Sequence, residues 1–260
     1  MFLAVDIGNT NISLGLFKDD VLISSSSFKY TRKMQVKSYA DIFETIFNNK
    51  DIKECVIASV VDEITNTVSK SIESVFHIKP LIISYKTAFD LKIKSKHPEK
   101  IGMDRLANAC AAKKLYPSQA VIVVDMGTAT TFDIINKKGE FIGGLIIPGI
   151  NTQLKSLADN TSKLPNIKIK EADKLNKTIN IDTKKAILSG IINGHARAIE
   201  GLIEDCSKEL KTKPIVIATG GNAKLISKFS KENLFDLINP NLTLEGLLII
   251  NNLNKFSVIA

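Results

Sequence analysis

The sequence contains no tryptophan, and its 12 phenylalanines and 4 tyrosines are spread thinly over 260 residues. A platform of stacked aromatics for single-stranded nucleic acid is therefore not expected. Cysteine is also scarce. Cys55, Cys110 and Cys206 lie far apart, with no CxxC pair. This argues against a disulfide framework or a cysteine zinc site and suits reduced thiols in a cytoplasmic protein. The three histidines, His77, His97 and His195, are too dispersed to suggest a histidine metal centre. No uninterrupted apolar stretch has the length of a membrane span. Asp6 breaks the early apolar run and no basic segment precedes it, so no signal peptide is expected. Gly/Ser-rich and Pro-rich linkers are missing, as is low-complexity sequence. Two lobes sharing a cleft are expected, not two tethered domains.

What is present is ordinary for a globular chain: 44% hydrophobic and 24% charged residues. The length allows one large domain or two smaller ones. The net charge of +8 comes from 35 Lys and Arg against 27 Asp and Glu, spread along the chain. No basic block or helix-turn-helix points to DNA. The charge is compatible with attracting nucleotide phosphates.

The informative pattern is a repeat. Val5-Asp6-Ile7-Gly8-Asn9-Thr10-Asn11 has an echo at Val124-Asp125-Met126-Gly127-Thr128-Ala129-Thr130, the two aspartates lying 119 residues apart. Each runs from an apolar strand through an acid and a glycine into small polar residues. Around each, the periodicity predicts strand, turn, strand, turn, strand. Helices are predicted near 36–47, 63–76 and 106–115, then near 150–157, from Asp182 or Thr183 to about 210, and over 242–253. This order suggests a duplicated α/β unit, with lobes 1–115 and 116–260 and a nucleotide held between them.

The chemistry of the turns fits phosphate. Backbone N–H groups beside a glycine can approach phosphate oxygens, and Thr10, Asn11 and Ser13 add donors. Asp6 could hold Mg²⁺ directly or through water. By itself the first turn fits an ordinary hairpin equally well; the second copy favours phosphate binding. Asp125, an acid inside a sheet, calls for a cation or a phosphate-linked network, whereas Thr131 reads as strand filling. Thr219-Gly220-Gly221-Asn222, between a strand and a helix, would let a flat base press on the backbone.

Together these features resemble the actin-like ATPase and sugar-kinase fold, with duplicated ribonuclease H-like domains. Adding Gly102-Met103-Asp104-Arg105-Leu106-Ala107-Asn108-Ala109 and Gly143-Gly144-Leu145-Ile146-Ile147-Pro148-Gly149, the sequence resembles the type III pantothenate kinases over almost its whole length. That resemblance implies transfer of the γ-phosphoryl group of ATP to pantothenate, the first step of coenzyme A synthesis. It implies Asp104 as the base and Gly102, Met103, Asp104, Arg105 and Thr183 as substrate contacts. It further implies Asp6, Ile7, Gly8, Asn9, Thr10, Asn11, Ile12, Ser13 and Thr128 as ATP contacts. Asp125 would be the ligand of a monovalent cation, K⁺ or NH₄⁺, beside Mg²⁺, and the protein would be a homodimer. From the residues alone, Asp104 would pass for a helix-cap aspartate, ionised by the helix dipole. One position departs from the family pattern. Ser95 stands where the family commonly has tyrosine, so that pantothenate contact is either lost or supplied from elsewhere, such as by Tyr85 or His97. Rival readings are another small-molecule kinase of this fold and a non-catalytic regulator.

Overall fold

The computed structural model describes residues 1–255. The described residues divide into two compact units, 1–115 with 241–255, and Tyr116–Pro240. The expectation of a second lobe running from 116 to the end is therefore corrected for its last segment, which packs with the first unit.

In the first unit, β1 (Phe2–Ile7), β2 (Asn11–Lys18) and β3 (Val21–Lys29) form an antiparallel meander. β4 (Glu54–Ser59) lies parallel to β1, followed by the two-residue β5 (Leu81–Ile82), in the order β3-β2-β1-β4-β5. Strand side chains alternate between faces. Leu3, Val5 and Ile7 pack with Tyr39 and Phe43 of α1 (Val36–Phe47) and with Ile64 and Val68 of α2 (Asp62–Phe76). The opposite face carries Phe2, Ala4 and Asp6. It is covered by α7 (Leu242–Lys255), which also packs on α3 (Met103–Leu115). Small residues make that packing possible. Gly15, opposite Ala4, leaves room for Leu244, whose atoms would lie 3.1 Å from a Cβ there. Gly246 lies against the backbone of Ala107, where any side chain would collide. The loop before α3 holds a two-residue strand, β6 (Lys92–Ile93), and a 3₁₀ turn, Pro98–Lys100.

The second unit repeats the plan. β7 (Val121–Met126), β8 (Ala129–Ile135) and β9 (Glu140–Pro148) are an antiparallel meander, and β10 (Ile215–Thr219) lies parallel to β7 as β4 does to β1. A short strand missed by the sequence reading, β11 (Leu237–Ile238), follows on the edge, giving the order β11-β10-β7-β8-β9. The matching registers make the duplication explicit. Asp6 faces Ser13 and Ala58 on its neighbouring strands; Asp125 faces Thr131 and Thr219. α4 (Ile150–Asn160), α5 (Thr183–Leu210) and α6 (Ala223–Ser227) complete the unit. Leu188, Ile192, Ala196, Ile199 and Ile203 of α5 recur at helical spacing and pack on Ile122, Val124, Phe132 and Ile134.

Candidate active site

In the first unit the site is built at one end of the β1–β4 pair. β1 and β2 are joined by the turn Gly8-Asn9-Thr10, closed by the Gly8 N–H donating to the Asn11 carbonyl at 3.0 Å. Ile7 and Ile12 on either side are fully buried and anchor the turn, while Asn9, Thr10 and Asn11 are exposed. Asp6 and Ser13 are cross-strand partners, both half-buried. Gly8 does not lie in the left-handed region. Its value is the absence of a side chain beside exposed donors. Sequence reasoning missed the residue that secures this turn. Tyr30, just past β3, donates its hydroxyl to the Gly8 carbonyl at 2.9 Å. Burial pushes its phenol up, ahead of the opposing Arg32 charge, so it remains a donor at neutral pH. No local pattern marks a tyrosine 22 residues from its partner.

The second motif meets the first at the same strand ends. Ile7 pairs with Ser59, and the Ile7 carbonyl accepts from the Val60 N–H at 3.1 Å. A Cβ at Gly102 would lie 3.4 Å from the Val60 side chain and would collide with Asp104 Oδ1. Asp104 is the second residue of α3, and its Oδ1 accepts from the Arg105 N–H at 2.8 Å. It therefore does not cap the helix in the usual way, through the N–H two or three residues on. The expectation that the helix dipole leaves it readily ionised is also corrected. Burial raises its carboxyl above the ordinary aspartate value, outweighing the Arg105 hydrogen bond and charge. A desolvated carboxylate beside a glycine-opened space is a stronger proton acceptor than one in water.

In the second unit, the Gly127 N–H donates to the Ala129 carbonyl at 2.9 Å. The Thr128 carbonyl accepts from the Gly149 N–H at 3.0 Å and from Thr152 Oγ1 at 2.6 Å. The start of α4 thus grips the Thr128 peptide. Gly220 has φ +84°, and a Cβ there would strike the Asp125 carboxylate and approach Met126 N at 2.6 Å. Gly220, the first of the two glycines after β10, thus lets the backbone close on Asp125. Gly221 and Asn222 line a cavity of about 280 Å³ with Ile169, Lys170, Lys224, Leu225 and Lys228. A larger cavity, about 440 Å³, is lined by Met1, Phe2 and Glu54 at the far end of β1 from Asp6 and contains none of the expected site residues.

Thr183 opens α5 and is exposed. The cap is Asp182, whose Oδ1 accepts from the Lys185 N–H at 2.9 Å, so Thr183 has no capping task. At the departing position, Ser95 Oγ accepts from the His97 N–H at 3.1 Å, and His97 Nδ1 lies 3.2 Å from Glu99. Tyr85 is exposed, with the Lys86 ammonium 5.7 Å from its ring centroid. Among the described residues, no three His, Cys, Asp or Glu side chains form a metal cluster. Among the same residues no helix is long and apolar enough to cross a membrane.

The family model for type III pantothenate kinase matches residues 2–205. The chain belongs to the type III pantothenate kinase family. A type III pantothenate kinase of Dehalococcoides mccartyi is 37% identical over 97% of this chain and 95% of its own length. Among solved structures, a ROK family glucokinase from Streptomyces griseus, bound to glucose and AMPPNP, superposes with a TM-score of 0.56 at 12% identity. It covers 95% of this chain and 97% of that one. A Campylobacter jejuni protein described as a Baf family transcriptional activator superposes at 0.59 with 20% identity, covering 98% and 99%. At such identities the two structures speak for the fold alone, the duplicated sugar-kinase and actin-like architecture.

Proposed function

We propose that the protein transfers the γ-phosphoryl group of ATP to the primary hydroxyl of pantothenate, the step that opens coenzyme A synthesis. The observation that carries the reading is the seating of Asp104. Its carboxylate lies against Gly102, next to the strand ends that carry the Asp6–Ser13 turn. Phosphoryl transfer asks little covalent chemistry of a protein. It needs an aligned hydroxyl, a proton acceptor and neutralised phosphate charge.

In this reading, Asp6, Ile7, Gly8, Asn9, Thr10, Asn11, Ile12 and Ser13 form the phosphate turn, and Thr128 is a further ATP contact. Gly102, Met103 and Arg105 hold pantothenate, and Thr183 touches it. Asp104 takes the hydroxyl proton as the oxygen attacks the γ-phosphorus. Mg²⁺ bound with ATP would spread the charge of the transferring group. The backbone N–H groups of the turn would donate to the phosphate oxygens, and Asp6 would hold the metal directly or through water. Asp125 is the proposed ligand of K⁺ or NH₄⁺. Support comes from its place at the end of β7 with the Gly220 backbone closed upon it. A homodimer working in the cytoplasm completes the reading, in keeping with the family and with the reduced cysteines.

The decisive experiment is a coupled ADP-release assay with pantothenate, with and without K⁺. Pantothenate-dependent ADP release that rises with K⁺ is expected. Its absence under every cation would overturn the assignment. Asp125→Ala is expected to remove activity together with the K⁺ response, and an unchanged K⁺ response would remove Asp125 from the cation site.

A further inference from the structure

His195 is 2% exposed and Thr130 fully buried, inside a unit whose core is otherwise mostly apolar. His195 Nε2 lies 3.0 Å from Thr130 Oγ1 on β8, and Nδ1 lies 2.9 Å from Gln153 Nε2 on α4. The same Gln153 nitrogen donates to the Pro148 carbonyl at 2.8 Å. A carbonyl only accepts, so the Gln153 group facing both partners is its NH₂, one hydrogen for each. Nδ1 is then an acceptor, the ring proton sits on Nε2, and His195 donates to Thr130. Desolvation lowers the pKa of His195, which keeps the ring neutral as this pattern demands.

The two partners are not arbitrary. Thr130 is two residues after Thr128, and Gln153 adjoins Thr152, whose hydroxyl grips the Thr128 carbonyl. We propose that His195 is a positioning residue: it ties β8 to the first turn of α4 and so holds the Thr128 peptide in place for the phosphoryl donor. A buried polar network is costly unless every member is paired, and a core-filling leucine would serve packing alone. Here one hydrogen bond ends on the strand that follows Thr128 and the other on the helix whose first turn grips the Thr128 carbonyl. The inference rests on Thr128 being an ATP contact, as proposed above.

The test uses the full chain and Mg-ATP binding measured by calorimetry without pantothenate. Thr130→Val keeps the shape and removes the hydroxyl. It is expected to weaken ATP binding at least fivefold while KM for pantothenate moves less than twofold. Thr130→Ser should restore ATP affinity to within twofold. Ile199→Val, a buried change on the same helix, supplies a destabilised control and should leave ATP affinity unmoved. Unchanged ATP binding in Thr130→Val, or an equal loss in Ile199→Val, overturns the positioning role. A readout independent of binding is ¹⁵N NMR of the wild-type imidazole, identified among three histidines by the loss of its signal in His195→Asn. The Nε2–H tautomer is expected at pH 7, and the Nδ1–H tautomer would sink the proposal even if Thr130→Val did not fold. Wild-type ATP binding without pantothenate phosphorylation would defeat the proposed function and leave this inference standing. No ATP binding at all would defeat both.

Discussion

Oδ1 of Asp104 occupies the space that the first side-chain atom of any residue but glycine would need at position 102. Position 102 is not in the left-handed region, so the glycine is required by that carboxylate and not by the backbone. The spacing Gly-x-Asp is thus a packing relationship across two residues. Gly102→Ala should leave the fold intact and push the carboxylate aside. A displacement of about 1 Å can cost roughly 100-fold in rate, and kcat is expected to fall by about that factor. Steady-state kinetics beside a thermal melt checks this; near-normal kcat would show that Asp104 is free to shift without loss.

Asp104→Asn should lower kcat by about 10²–10⁴-fold, the usual span for a general base. Stability should move the other way. The folded-state carboxyl pKa is raised, so the folded protein binds its proton more tightly than the unfolded chain does. Stability therefore falls as pH rises through the window between the ordinary aspartate value and the raised one. Above that window the full penalty is present, and asparagine removes it while still accepting from the Arg105 N–H. A higher melting temperature than wild type is expected at pH 7, with the gain shrinking as pH falls toward the carboxylate range. A pH series of thermal melts reads the sign directly.

Tyr30→Phe removes one hydrogen bond to the Gly8 carbonyl and little volume. The stability cost should be about 1 kcal/mol. The informative effect is on the loosened turn, with KM for ATP rising several-fold and KM for pantothenate unchanged. Equal changes in both constants would deny Tyr30 a specific link to the phosphate turn.

Substitutions at Asp182 and Thr183 separate helix capping from the proposed substrate contact. Asp182→Ala should cost about 1 kcal/mol of stability through loss of the helix cap. Thr183→Ala, at an exposed position without that bond, should stay within roughly 0.5 kcal/mol and raise KM for pantothenate. If Thr183→Ala alters melting and not KM, the residue is structural and the substrate role fails.

Much of this protein was decided locally and is legible in the chain. Continuous apolar runs such as Leu3–Val5 and Val121–Val124 define strands buried on both faces. The two acid-glycine turns follow them in the same element order, and Gly102-Met103-Asp104-Arg105 carries part of the family resemblance. These are short-range patterns, so period and turn residues are enough to read them. Tertiary structure decided the rest, because each remaining feature depends on groups distant in sequence. An apolar stripe on α7 does not say which sheet it covers; Gly15 and Gly246 let it return to the first unit, against the expectation from chain order. The charge preference of Asp104 was misread from its helix position, since burial exceeds the dipole's effect and burial is not a local property. Tyr30 and His195 were invisible as site residues for the same reason: their partners lie 22, 42 and 65 residues away. The sequence by itself determined the strands, helices and acid-glycine turns, because those patterns are local, and only the packing decided how firmly the Gly8 and Thr128 turns are held, because Tyr30 and His195 come from distant parts of the chain.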